Sequence, residues 1–110
     1  MRTIKSTREI DALFKEGRRG SSPLLTGLSM PVNERRGPLG RVAVVAGKKL
    51  GNAVLRNRCK RVLRAATVRA GGPWPGMDIV LISRAGLPTA PAADVDKGLQ
   101  EVLRRIGIPS

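Results

Sequence analysis

The stretch KKLGNAVLRNRCKRVLRAA, residues 48–66, decides how this chain is read, because it sets a long helix with two unlike sides. Seven of its nineteen residues are Lys or Arg, and none is acidic. Gly51 and Asn52 open a helical pattern that runs from about Asn52 to Ala70, where GGPWPG (residues 71–76) breaks it. At about 100° per residue, Leu55, Cys59, Val62, Leu63, Ala66 and Ala70 share one arc, which predicts a face packed on a sheet. Arg56, Lys60, Arg61 and Arg64 fall on the opposite side with Asn57 between them, while Arg58 and Arg69 flank the apolar edge.

A solvated helix face normally mixes signs, so that i,i+4 neighbours attract. Here the like charges at 56, 60 and 64 repel by about 0.2–0.5 kcal/mol per pair. Cations near the helix start also oppose its macrodipole. Local stability thus argues against this pattern, and an external polyanion argues for it. Gly47 and Gly51 bracket Lys48 and Lys49, which lets the backbone and the free amides of the helix start approach a phosphate. An ordinary strand-to-helix turn would look the same from sequence. GKKLGN lacks the spacing of a P-loop, so nucleotide hydrolysis has no support.

The rest of the chain fits that reading. Its 110 residues suffice for one domain with one modest core, residues 1–110 forming a single unit. Lys and Arg number 21 against 8 Asp and Glu, a formal charge of +13 that calls for an anionic partner. From Arg35 to Met77 there are eleven basic residues and no acidic one, so the charge is segregated. Fifteen of the cations are Arg, whose planar fork suits phosphate. Cys59 is the only cysteine and His is absent, which excludes an internal disulfide and the usual Cys/His zinc site. A reducing cytoplasm suits such a chain, and Cys59 reads as a small buried hydrophobe. No apolar run has the length of a membrane span, and the charged start MRTIKSTREI lacks the middle of a signal peptide.

Ser6 or Thr7 can cap a first helix in which Ile10, Leu13 and Phe14 share a face and which Gly17 ends. The polar stretch RRGSSP leads into a strand over Leu24 to Met30, and RVAVVA (41–46) forms another after the turn-rich NERRGPLG. These two read as antiparallel strands joined by a loop. DIVLIS (78–83) is a further apolar strand, and the helix between it and RVAVVA suggests a parallel pair joined by a crossover. A last helix, from about Ala93 to Ile106, carries Val95, Leu99, Val102, Leu103 and Ile106 as one stripe. The fold class is α+β: a single-domain α/β sandwich running helix, strands, helix, strand, helix, with a mixed sheet.

GKKLGNAVLRNRCKRVLRAA closely resembles the signature of the bacterial ribonuclease P protein family, a K-K-x-G-x-A-V-x-R-N-R-x-K-R-x-x-R pattern whose every fixed position is present. FKEG ending the first helix and DIVLISRAG after the signature agree as well, so the resemblance covers nearly the whole chain. It implies the fold shared with a small-subunit ribosomal-protein domain, including a left-handed crossover where right-handed is the default. It also implies a subunit with no catalytic residues of its own. The RNA subunit, using Mg²⁺, removes the 5′ leader of precursor tRNA, and the protein binds both RNAs. One protein per RNA, monomeric when free and without a membrane partner, is the implied assembly.

By that resemblance, Arg56, Asn57, Arg58, Lys60, Arg61 and Arg64 contact the ribonuclease P RNA, with Lys48, Lys49 and Asn52 beside them. A cleft between the first helix and the sheet receives the single-stranded leader, lined by Lys5, Arg8, Ile10, Phe14, Arg18 and Arg19. Family members often place further aromatics there, suited to stacking on unpaired bases. Here Ile10 occupies the earlier helical position and Gly27 falls near the strand position, so Phe14 stands with little aromatic company. Phe14 reads equally as core packing, and Trp74 as a core cap or a stacking residue. Ala65 and Thr67 also depart from the family pattern. Two other classes compete: a ribosomal or nucleoid protein using the same basic face, and a self-sufficient nuclease, which the scattered acids and missing His disfavour.

Overall fold

The computed structural model describes residue 4, residues 7–32 and residues 40–108. Lys5, Ser6 and most of the turn-rich NERRGPLG segment lie outside the described residues. The elements run α1 (Thr7–Glu16), β1 (Arg18–Ser21), β2 (Leu25–Pro31), β3 (Arg41–Val45), α2 (Ala53–Arg69), β4 (Met77–Ser83) and α3 (Ala92–Arg105). Single 3-10 turns occur at Lys48–Leu50 and Leu87–Thr89.

The four strands form one mixed sheet in the order β1-β2-β4-β3. β3 and β4 are parallel, from Arg41↔Asp78 to Val45↔Ile82, and α2 is the crossover between them, as the helix separating two apolar strands predicts. β2 and β3 are not partners, contrary to the expected hairpin-like pair. β4 lies between them, antiparallel to β2 from Leu25↔Ser83 to Pro31↔Met77. The physical reason is burial: Ile79, Val80 and Leu81 are all inaccessible, and a strand apolar on both faces belongs in the middle of the sheet. The polar stretch RRGSSP supplies a strand of its own over its first four residues. Arg18–Ser21 pairs with Ser29–Thr26, with the Ser21 and Thr26 hydroxyls hydrogen-bonded at 3.1 Å, and its two arginines suit an edge that must not recruit further strands.

Strand alternation divides the core between the two faces. Leu25, Val42, Ile79 and Leu81 meet Cys59, Leu63 and Ala66 of α2 and Val95, Leu99, Val102, Leu103 and Ile106 along α3. Each large aliphatic among them contributes about 1.5–3 kcal/mol by leaving water. Trp74 is half-buried against this cluster, so it caps the core. Leu28, Ala43 and Val80 point the other way, where they meet Leu13 of α1 and Ile4 ahead of it.

Gly20 and Gly27 face each other across β1 and β2. A Cβ on Gly27 would lie 2.5 Å from Val102 Cγ1, and one on Gly20 would lie 2.7 Å from Arg105 Cβ. The missing side chains let α3 settle close on the sheet, where Ser29 Oγ donates to the Ile106 carbonyl at 3.0 Å. Gly27 therefore faces α3. It is not a vacated aromatic position on the α1 side, as the sequence comparison suggested.

Candidate nucleic-acid interface

The start of α2 is built by two residues. Gly51 has φ +133°, a conformation that glycine alone adopts easily, and Asn52 Oδ1 accepts the Leu55 amide at 3.0 Å. Lys48 and Lys49 are exposed on the 3-10 turn just before it. Asn52 lies beside them as expected, but its side-chain oxygen is engaged as the helix cap.

Along α2 the cations divide. Asn57, Arg58, Arg61 and Arg64 are exposed. Arg56 and Lys60 are only half-exposed, which corrects the expectation that they lie on the outer side with Arg61 and Arg64. Helical spacing sets Thr67 on the same side as both, and it is wholly buried, with its Oγ1 donating to the Leu63 carbonyl at 2.8 Å. A hydroxyl satisfied by its own helix packs like an aliphatic group, so the buried arc extends towards the side holding Arg56 and Lys60. Arg56 is sunk far enough that its Nε is buried without a hydrogen-bond partner. The outer face also holds Val54, 78% exposed, and Val68, 62% exposed, which the helical arithmetic had not singled out.

Arg69 does not belong to the free band. Its guanidinium grips Asp96 of α3, with Nη2 at 2.8 Å and Nε at 3.1 Å from Oδ1. The hydrogen bond that the guanidinium donates to this carboxylate raises the pKa of Arg69. The outward cations Arg58, Arg61 and Arg64 show no such acidic partner among the described ion pairs.

On the opposite face of the sheet, α1 leaves Val45 and Ile82 half-exposed beside the buried Leu28, Ala43 and Val80. Ile10 is half-buried against this cluster, and Phe14 is 48% exposed, so its ring is more than core packing. Arg19 is exposed and pairs in register with Leu28, which places it on the α1 side of the sheet. Arg18 pairs with Ser29 and has its guanidinium beside Gly107, so it belongs to the α3 side, apart from the cleft group. Arg8 is exposed, and helical spacing puts it about 140° from Leu13, on the outer side of α1.

One feature of this face has no sequence signal. Arg41, at the start of β3, is clamped between Glu9 of α1 and Asp78 of β4, its Nη2 lying 3.1 Å from Asp78 Oδ2. This guanidinium ties α1 to the sheet.

A two-sided protein of this kind, with a cationic helix behind the sheet and an open apolar floor in front, has known counterparts. The sequence profile of the family described as Ribonuclease P matches residues 1–107. The ribonuclease P protein component of a Nitratiruptor species is 32% identical over 106 residues, covering 96% of this chain and 93% of that protein. That of Dehalococcoides mccartyi is 34% identical over 107 residues, covering 97% and 86%. The fold superimposes on the RNase P protein of Staphylococcus aureus with a TM-score of 0.83 over 98% of this chain and 97% of that one, at 23% identity. The Thermotoga maritima RNase P protein gives a TM-score of 0.79 at 27% identity, covering 96% and 98%. With profile, relatives and fold in agreement over nearly every residue, the chain belongs to the ribonuclease P protein family.

Proposed function

We propose that this chain acts as the protein subunit of ribonuclease P in tRNA 5′ maturation, binding the catalytic RNA through α2 and the 5′ leader of precursor tRNA through the cleft under α1. The observation that carries the reading is the outward row Arg58, Arg61 and Arg64, exposed and without an acid on its own helix. Lys48, Lys49 and the half-exposed Lys60 and Arg56 extend the row towards the helix start. Phosphates brought against it relieve the mutual repulsion of the cations, so the RNA stabilises the face that binds it.

On the other side of the sheet, Phe14, Ile10, Val45 and Ile82 offer apolar surface to unpaired bases, and Arg19 offers charge to the leader backbone. In this reading the protein orients the substrate and screens phosphate repulsion, while the RNA, with its bound Mg²⁺, cuts the chain. No protein side chain is assigned a catalytic role. One protein serves one RNA.

The test is reconstitution with the ribonuclease P RNA of the same organism at low Mg²⁺. Arg58→Glu, Lys60→Glu and Arg61→Glu together are expected to abolish stimulation of leader removal, and undiminished stimulation would sink the assignment. Binding should also weaken steeply with salt, each phosphate contact adding about 0.7–0.9 to the log-log slope.

A further inference from the structure

Val54, Arg61 and Val68 follow each other at seven-residue intervals, two turns apart, and so form a single line along the outside of α2. The two valines are among the most exposed large apolar side chains described, at 78% and 62%. Arg58 and Ala65 run along one side of this line, Asn57 and Arg64 along the other. Phosphate attraction explains the arginines and gives no reason for the valines. Leaving two β-branched apolar groups in water, on a helix whose other side already supplies its core packing, wins nothing for the fold.

We infer that Val54 and Val68 make dry contact with an ordered, sugar-lined surface of the partner RNA, flanked by the phosphates that Arg58, Arg61 and Arg64 engage. This inference rests on the proposed binding of ribonuclease P RNA by α2 and specifies the kind of RNA surface it meets. A second copy of this chain is a poor occupant, since Arg58, Arg61 and Arg64 would face their own duplicates. An anionic membrane would need larger apolar side chains than two valines and an alanine. The wide, shallow groove of folded RNA exposes riboses and base edges between two phosphate strands, which matches an apolar ridge with arginines on either side. The ridge spans about 21 Å along the helix axis, from 14 residues at 1.5 Å each. Its consequence is selectivity: a disordered polyanion satisfies the arginines, and only a structured RNA also covers the valines.

The experiment compares the wild-type chain, the double variant Val54→Thr/Val68→Thr, and Arg61→Gln. Each is titrated with ribonuclease P RNA and with heparin across a range of salt. Threonine keeps the shape and nearly the helix propensity of valine, so thermal unfolding of the double variant is expected to match wild type. The double variant is expected to bind the RNA about three- to tenfold more weakly, with the salt slope and heparin affinity unchanged. Arg61→Gln is expected to weaken both ligands and lower the slope by about 0.7–0.9.

A wild-type preference for the RNA that the threonine pair leaves intact would overturn the inference alone. Equal loss on RNA and heparin would overturn it too, as would loss of binding to phosphatidylserine vesicles with RNA affinity retained. A wild-type chain that binds the RNA no better than heparin would overturn the subunit assignment together with it.

Discussion

Asn52 Oδ1 accepts the amide of Leu55 at 3.0 Å, so a residue expected beside the proposed RNA contacts holds the start of α2 in place. The two roles can be separated. Asn52→Ala removes the cap and is expected to cost about 1 kcal/mol of stability. Asn52→Asp keeps the cap and complements the helix dipole, but sets an acid next to Lys48 and Lys49. Its unfolding midpoint should stay at or above wild type while RNA affinity falls. Wild-type affinity in the aspartate variant would show that phosphate does not approach the start of α2.

Arg41 is the second structural hinge of the site. Its side chain and that of Asp78 are each 11% exposed, whereas Glu9 is 42% exposed. Arg41→Leu breaks a largely buried pair and is expected to destabilise the fold by about 3 kcal/mol. Glu9→Gln touches only the better solvated arm and should cost under about 1 kcal/mol. In hydrogen exchange, the amides of α1 should lose protection in both variants before those of β4. Uniform loss across the sheet would mean that Arg41 supports the whole core and does not specifically hold α1.

The parts of this molecule that repeat were legible in its sequence, and the parts that depend on unlike neighbours were not. α2 and α3 declare themselves because Cys59, Leu63 and Ala66, and then Val95, Leu99 and Val102, recur at helical spacing and are buried. β4 declares itself as an unbroken apolar run. Strand order escapes such reading, since hydrophobicity reports how deeply a strand lies and not which strand it pairs with. β1 escapes it because Arg18–Ser21 is polar and joins β2 through its backbone. Thr67 hides in the core by bonding its own helix, and Arg56 and Lys60, on the same side of that helix, are only half-exposed. The Arg41 clamp joins residues 32 and 37 positions apart, which no local pattern encodes.

Phe14 is 48% exposed and lies one helical turn after the half-buried Ile10, so in the proposed leader-binding role its ring is available to a base. Phe14→Leu is expected to change stability by less than about 1 kcal/mol, because half of the side chain is already in water. A lost base stack costs about 1–3 kcal/mol, which lowers the preference for precursor over mature tRNA by about fivefold or more. The measurement is the affinity ratio of the two tRNAs for the reconstituted holoenzyme. An unchanged ratio would leave leader binding to the cationic side chains and the aliphatic floor.

Cys59 reports on the coupling between anions and folding. Its side chain is inaccessible beneath α2, so a thiol reagent reaches it only when the core opens. With a net charge of +13, the compact state is opposed by its own repulsion, and an anion on the α2 face relieves it. Labelling of the native protein should therefore be slow and should slow further with sulfate. At about ten times its dissociation constant, sulfate that binds only the folded state lowers the labelling rate about tenfold. The effect should shrink when Arg61 and Arg64 are replaced by Gln, since these exposed arginines supply the anion's contacts. A labelling rate indifferent to sulfate would mean that the charge on α2 is carried without strain, and that the RNA is needed for binding only, not for the stability of the subunit.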